Sequence, residues 1–336
     1  MSHGYEPLDL SVGILRSKIS SENEPRFQAR YMNLVNKLSD YGAAALFADG
    51  HASYNPTEHK FSGQHTLKGV PVDDRLRPDV VRDLTMPKDS QPLYEDEMAP
   101  ALVHHPEFSK ILSRKDEVYR LLPEVHPLTF SADNNELEEA AAAIPGYRVI
   151  VKPLEGAGAK GVRVVRKSEL SIIKAEGDML VQEYIDTSAG DPGLGIEGTH
   201  NLRVISIDSL LIGAASRIGG RRKEILLADG HGRVFEPEEL PEEVHSIVDT
   251  IHDKFQELPG SGKNVLGIDL MYGKSKGREA RYVVCEINRR PVRISPWDLK
   301  RDDVYDPAGM LWLGYEWDKY EAKMLADMAG GVKDSK

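Results

Sequence analysis

The spacing of apolar positions changes along the chain, and each change marks out an element. Residues 8–15 form a short apolar run that predicts a strand. Phe27, Tyr31, Leu34, Val35 and Leu38 recur near helical spacing, so residues 27–38 predict a helix, with Gly42 as its stop. The run AAALFADG then predicts a second strand, and the β-α-β order points to a small parallel sheet. Residues 51–72 are polar and poorly periodic, a loop with a short strand. Residues 77–84 predict another strand of the same sheet, and the proline and charge content of 85–98 predicts a surface loop. Helices over 108–113 and 115–122 follow, the second ended by Pro123 and Pro127. Alanine and glutamate over 136–143 predict a solvent-facing helix.

Residues 147–165, YRVIVKPLEGAGAKGVRVV, read as strand, glycine-rich turn and strand. Two-residue turns join hairpin strands more simply, so a long turn carrying Glu155, Gly156, Gly158, Lys160 and Gly161 needs a purpose. Glycine lets a backbone approach a ligand and aim its N–H groups at it. Lys152 stands just before the turn as a point charge, and the hairpin is expected to fold over the phosphates of a nucleotide. Residues 170–174 predict a short helix and MLVQEYI, residues 179–185, a strongly apolar strand. The glycines and proline of 186–199 predict a linker that divides the chain. Beyond it, residues 201–207 and 210–217 predict a two-stranded meander turning at Asp208-Ser209. Pro241 opens a helix whose apolar face is Val244, Ile247, Val248, Ile251 and Phe255. Strands over 265–272 and 281–288, joined by the basic loop GKSKGREA, and a helix over 316–328 complete the chain.

Composition narrows the class. The chain has 336 residues, 40% of them apolar and 29% charged, which suits a soluble protein of two or three subdomains. No apolar run approaches a membrane span, and the first residues, MSHGYEPLDLS, do not resemble a secretory signal. A single cysteine, Cys285, excludes an internal disulfide framework, and a cytoplasmic location is expected. A formal charge of −11 argues against nonspecific nucleic-acid binding.

Candidate chemistry gathers late in the chain. Side chains alternate across a strand, so Asp269 points away from Ile268 and Leu270, while Glu286 and Asn288 share one face of the next strand. Paired as neighbours, these strands bring two carboxylates and an amide oxygen onto one surface, a set that suits a hard divalent cation. Arg203 and Arg217 sit inside apolar strands, and arginine recognises phosphate or carboxylate through two parallel bonds. Arg289, Arg290 and Arg293 follow the candidate metal strand directly. Arg221 and Lys223 read as solvated surface charge. The same alternation turns Cys285 away from Glu286, as a buried structural thiol. His51, His59 and His65 are too irregularly spaced for a metal set and read as loop histidines. Trp297, Trp312 and Trp317 read as core or subunit contacts.

In combination these segments resemble the ATP-grasp superfamily, nearest its glutathione-synthetase and RimK-type branch. Five stretches fall in the family's order: HHPEFSKILSRKDEVYRLLPEVHPLTF, VIVKPLEGAGAKGVRVV, MLVQEYID, NLRVISIDSLLIGAASRIGG, and the pair GIDLMYG with VVCEINRRP. The resemblance covers about residues 101–291, preceded by a β-α-β start similar to a pre-ATP-grasp domain. It implies an α/β (α+β) fold with a pre-ATP-grasp domain at 1–103, a central subdomain with a glycine-rich lid at 104–186, and a C-terminal subdomain with the metal site at 187–336. It implies that Lys115, Lys152 and the loop residues Glu155, Gly156, Gly158 and Gly161 hold the phosphates of ATP. Gln182, Glu183, Tyr184 and Ile185 hold adenine, and Arg203 and Arg217 meet the transferred phosphoryl group. Asp269, Glu286 and Asn288 hold Mg²⁺ or Mn²⁺.

The activity it implies is carboxylate–amine ligation through an acyl phosphate, on small-molecule or peptide substrates, in a group where homo-oligomers are frequent though the sequence itself does not set the oligomeric state. Two stretches depart from the pattern. The segment RRKEILLADGHGRVF lacks the asparagine common in relatives, and RRPVR stands where relatives carry small residues. Both fall on the acceptor side, where Arg222, Arg289, Arg290 and Arg293 are candidates to bind an anionic acceptor, so substrate identity does not carry over. A phosphotransferase acting on a small anionic hydroxyl compound and a non-catalytic nucleotide-binding regulator are the alternative readings.

Overall fold

The computed structural model describes residues 10–72, 77–85, 92–96, 100–104, 106–133, 136–154, 160–173, 177–219, 232–258, 262–289, 291 and 306–334. Its first unit holds β1 (Leu10–Arg16), α1 (Glu24–Asp40), β2 (Ala43–Asp49), β3 (Tyr54–Asn55), β4 (Lys60–Phe61), β5 (Val80–Asp83), α2 (Pro92–Glu95) and β6 (Ala101–Val103). The order β2-β1-β5-β6 is wholly parallel, as the β-α-β pattern requires. The predicted stripe of α1 is the face that packs: Leu34 and Leu38 are buried, and Phe27 stacks on Tyr31 at 4.5 Å. Gly42 takes φ +71°, the left-handed conformation that ends a helix without a Cβ penalty. The polar stretch after β2 folds as the small β3-β4 hairpin.

Next come α3 (Pro106–Ser113) and α4 (Lys115–Leu121), whose Phe108, Leu112 and Val118 pack into the core of the last sheet, and then the second unit proper: β7 (Thr129–Ala132), α5 (Leu137–Ala142), β8 (Arg148–Pro153), β9 (Arg163–Arg166) and β10 (Met179–Glu183). Its sheet has the order β7-β10-β8-β9, antiparallel throughout. Val149, Val151, Met179 and Val181 alternate onto one face and pack with Leu137 and Ala141 of α5. The same alternation sends Lys152 and Gln182 to the other face. The helix expected over 170–174 is a 3₁₀ segment at Lys167–Ile172.

The third unit holds β11 (His200–Ile207), β12 (Leu210–Ile218), β13 (Val234–Phe235), α6 (Glu242–Gln256), β14 (Val265–Gly273), β15 (Arg281–Asn288) and α7 (Pro307–Asp334). The meander turns where predicted, with Asp208 at φ 49° and Ser209 at φ 68°. Both residues of a two-residue hairpin turn need positive φ when the turn matches the strand twist. The sheet order is β13-β12-β11-β14-β15. One face is mainly apolar: Leu202, Val204, Leu266, Ile268 and Leu270 meet Val244, Val248, Ile251 and Phe255 of α6, the predicted stripe.

The opposite face divides. Ile205, Ile207, Ile212 and Val265 pack under α7, and beyond them the face turns charged. The segment between β10 and β11 is packed, with Leu194 and Ile196 buried against the α6 face.

Helix α7 is longer than the predicted 316–328 and serves two units at once. Met310, Leu313, Trp317 and Leu325 share one core with Val12, Ile14, Leu34 and Phe47 of the first unit and Val265 of the third. Each large apolar side chain so buried contributes roughly 1.5–3 kcal/mol. Arg82 of β5 donates to Glu321 of α7 at 2.9 Å, and Asn33 of α1 reaches Asp318 at 2.9 Å. The first sheet therefore takes one of its covering helices from the far end of the chain. Among the described residues no helix is long and apolar enough to cross a membrane.

Candidate nucleotide and metal site

The charged half of the third sheet is built by register. Arg203 on β11 pairs opposite Asp269 on β14, and Asp269 pairs opposite Glu286 on β15. Arg203 grips Asp269 through two bonds, Nε to Oδ1 and Nη2 to Oδ2, both 2.7 Å. Arg217 on β12 donates its Nη2 to the same Oδ1. Asn288 completes the row, its Nδ2 lying 3.5 Å from Asp269 Oδ2. Burial alone would raise the Asp269 carboxyl, but the two guanidinium charges outweigh it and hold the group below the usual carboxylate range. Two valences stay open: Arg217 Nε and the Oδ1 of Asn201, its opposite on β11, have no hydrogen-bond partner among the described residues.

The predicted face of Cys285 is corrected by a bulge. Pairing runs Leu270 to Val284 and Asp269 to Glu286, so Cys285 is the extra residue. Tyr282, Val284 and Ile287 therefore share the core, the last two three apart rather than two. Cys285 is left partly exposed beside Glu286. Burial pushes its thiol up, with Glu286 and Asp269 adding to the shift against Lys152. Backbone groups at the bulge are taken up by α4 and the turn after it. Val284 N–H donates to Val125 O at 2.7 Å, and Val284 O accepts from His126 Nδ1, also at 2.7 Å. Cys285 O accepts from the Tyr119 hydroxyl at 2.8 Å.

Lys152 closes the site from the second unit. Its ammonium donates to Tyr119 Oη at 2.5 Å and to Gln182 Oε1 at 2.9 Å. Burial would lower its pKa, but Tyr119, Cys285 and Glu286 more than offset this and hold it above the ordinary lysine value. His126 sits edge-on to Tyr119 at 4.3 Å. Burial, with Lys152 adding, pushes it down to about 3, so it is neutral. Its Nε2 is a buried acceptor with no partner among the described residues.

The strand-end residues of β10 meet the third unit. Asp186 exchanges backbone hydrogen bonds with Lys274 at 2.8 and 3.1 Å. Glu183 is 1% exposed and accepts from Leu128 N–H at 3.3 Å through Oε2. Its Oε1 has no hydrogen-bond partner among the described residues, a buried acceptor suited to an exocyclic amine. Arg148 stacks over the Tyr184 ring at 4.1 Å, and Ile185 is buried.

The other predicted site residues fall as follows. Lys115 opens α4, one turn before Tyr119. Gly161 has φ +76°, and a Cβ there would meet Pro153 Cγ at 2.8 Å, so both its conformation and the space beside it call for glycine. Arg289 is buried and donates to Thr85 O at 2.9 Å, which ties the exit of β15 to the end of β5. Glu155, Gly156, Gly158, Arg222, Arg290 and Arg293 lie outside the described residues.

A hard divalent cation takes oxygen donors, and the four lone-pair positions of Asp269 are already met by three bonds from Arg203 and Arg217 and a longer one from Asn288. Glu286 and the Asn288 amide oxygen stand on the same face as further oxygen donors. Sequence reasoning missed Tyr119, His126 and Asn201. Only Tyr119 carried a signal, its position four residues after Lys115 on one helix face.

Known proteins share the family and the fold. The ATP-grasp domain family matches residues 112–293, more than half of the chain. No curated protein sequence matches. Among solved structures, a RimK-domain ATP-grasp protein from Sphaerobacter thermophilus is 14% identical with a TM-score of 0.58, covering 95% of this chain and 99% of that one. The ATP-grasp ligase PsnB, solved with precursor peptide PsnA2 and AMPPNP, is 13% identical with a TM-score of 0.57, covering 97% and 99%. D-alanyl-alanine synthetase A from Vibrio cholerae is 14% identical with a TM-score of 0.56, covering 91% and 98%. At such identities the likeness is one of fold. With the family match over 112–293, the chain belongs to the ATP-grasp family.

Proposed function

We propose that this ATP-grasp chain is an ATP-dependent ligase that joins a carboxylate to an amine and releases ADP and phosphate. The observation that carries the reading is the convergence of Arg203, Arg217, Asp269, Glu286 and Asn288 on one half-sheet, with Lys152 brought to its edge from the second unit. Phosphoryl transfer depends mainly on positioning and on charge placed where it develops. The site supplies both. Lys152 and Lys115 hold the phosphates of ATP, and Gln182 to Ile185 hold adenine, with Glu183 Oε1 as acceptor.

A substrate carboxylate oxygen attacks the γ-phosphorus, the bond to the bridging oxygen breaks, and ADP leaves. Arg203 and Arg217 neutralise the resulting acyl phosphate. An amine then attacks the acyl carbon, phosphate departs and the amine loses a proton. Asp269, Glu286 and Asn288 would hold Mg²⁺ or Mn²⁺, which supplies further charge neutralisation to the phosphates.

Buried Arg289 fixes the end of β15 to the first unit, while Arg222, Arg290 and Arg293 remain the acceptor candidates. The structural relatives include one solved with a precursor peptide and one D-alanyl-alanine synthetase, which supports a peptide or small-molecule substrate class here. The test is a screen of carboxylates and amines that follows phosphate release from ATP. Release that requires both partners supports ligation. Transfer of phosphate to a hydroxyl compound without an amine, or nucleotide binding with no turnover on any pair, overturns it.

A further inference from the structure

We infer that Tyr119 is a positioning residue for Lys152, fixing the ammonium that meets the nucleotide phosphates. The inference rests on the proposed role of Lys152. Tyr119 has one hydroxyl hydrogen, and it is given to the Cys285 carbonyl oxygen at 2.8 Å. The phenolic oxygen is thereby left as an acceptor, and Lys152 Nζ lies 2.5 Å from it. The second acceptor is Gln182 Oε1 at 2.9 Å. Gln182 is itself held, its Nε2 donating at 2.8 Å to Thr129 Oγ1, which donates at 2.7 Å to Pro127 O.

A lysine ammonium has three hydrogens. Two are committed to acceptors on different elements, α4 and β10, and the third remains for a phosphate oxygen. The Tyr119 hydroxyl thus joins three elements in one line: α4, the β15 bulge beside Glu286, and β8 of the second unit. The bulge is what brings the Cys285 carbonyl within reach. The Tyr119 ring also packs on His126 at 4.3 Å, a contact that phenylalanine preserves.

The experiment is a double-mutant cycle on nucleotide affinity, using a fluorescent ATP analogue with Mg²⁺ and no acceptor. Tyr119→Phe is expected to weaken binding about tenfold, the scale of a hydrogen bond to a charged group, and to raise the KM for ATP more than it lowers kcat. In a Lys152→Met background the same change is expected to add nothing, because the group it acts through is gone. Equal losses in both backgrounds, or no loss in the wild-type background, overturn the inference. If Lys152→Met itself leaves affinity intact, the proposed role of Lys152 fails instead. Tyr119→Gln against Tyr119→Leu gives a second reading should the phenylalanine variant melt early. Gln restores an acceptor and is expected to bind nucleotide more tightly than Leu; equal binding overturns the inference.

Discussion

Among the described residues, the Arg82–Glu321 pair and the Arg203–Arg217–Asp269 cluster are built differently. Between the first sheet and α7, Arg82 meets Glu321 with side chains 2% and 1% exposed, and the other Glu321 oxygen accepts Trp317 Nε1 at 2.6 Å. On the third sheet, Arg203 and Arg217 meet Asp269, but Arg203 stays 23% exposed and Arg217 keeps Nε without a partner among the described residues. The first cluster joins two layers. The second holds charge in place with donors still open. A buried ion pair is weak evidence of purpose; leftover valence on a fixed scaffold separates the site from the fastening.

The sharpest way to break the contrast is Asp269→Asn. It should lower phosphate release on the order of 10³-fold while the protein still folds, because Arg203 and Arg217 lose the carboxylate that holds them in place for the transferring group. Glu321→Leu should do the reverse. It strands Arg82 and should cost about 3–5 kcal/mol in urea unfolding, with turnover per folded molecule unchanged.

Arg217→Met comes next, with kcat expected to fall about 100-fold and melting temperature nearly constant, since Arg203 still pairs Asp269. If Arg217→Met instead unfolded the protein as Glu321→Leu does, the distinction between the clusters would collapse.

The smallest effect is on pH. His252 of α6, bonded through Nε2 to Ser206 Oγ at 2.9 Å, is pushed down to about 4 by burial. Its folded value lies below the ordinary histidine value, so its stabilising share is complete above about pH 6.5 and declines as pH falls toward 4. Unfolding free energy should drop by up to about 1.4 kcal/mol per pH unit across that window from this group. His126 acts with the same sign. In His252→Gln the slope should flatten by that share, read from urea midpoints at several pH values.

Strand alternation made much of the site legible. Placing Asp269, Glu286 and Asn288 on one face needed only period two and neighbouring strands, and Arg203 and Arg217 stood out as charge inside apolar runs. The stripes of α1 and α6 were equally plain. Three things were hidden, each for a physical reason. One extra residue in β15 reverses the parity of everything before it, and nothing in YVVCEIN marks where the bulge falls; it follows from bonds made by Val125, His126 and Tyr119, far away in sequence. Short strands such as β6, β7 and β13 draw their stability from neighbours rather than from their own pattern. The span of α7 was underestimated because its residues pack against two sheets at once, which blurs a one-sided apolar stripe.

That helix also bears on how the protein is made. Asn33 and Asp318 touch although 285 residues separate them. At roughly 5–20 residues per second of synthesis, the first sheet waits on the order of 15–60 s for the helix that covers it. During that interval the part of the sheet's apolar face that α1 leaves uncovered is open to solvent or to a chaperone. The first unit is made before the other two and completed after them.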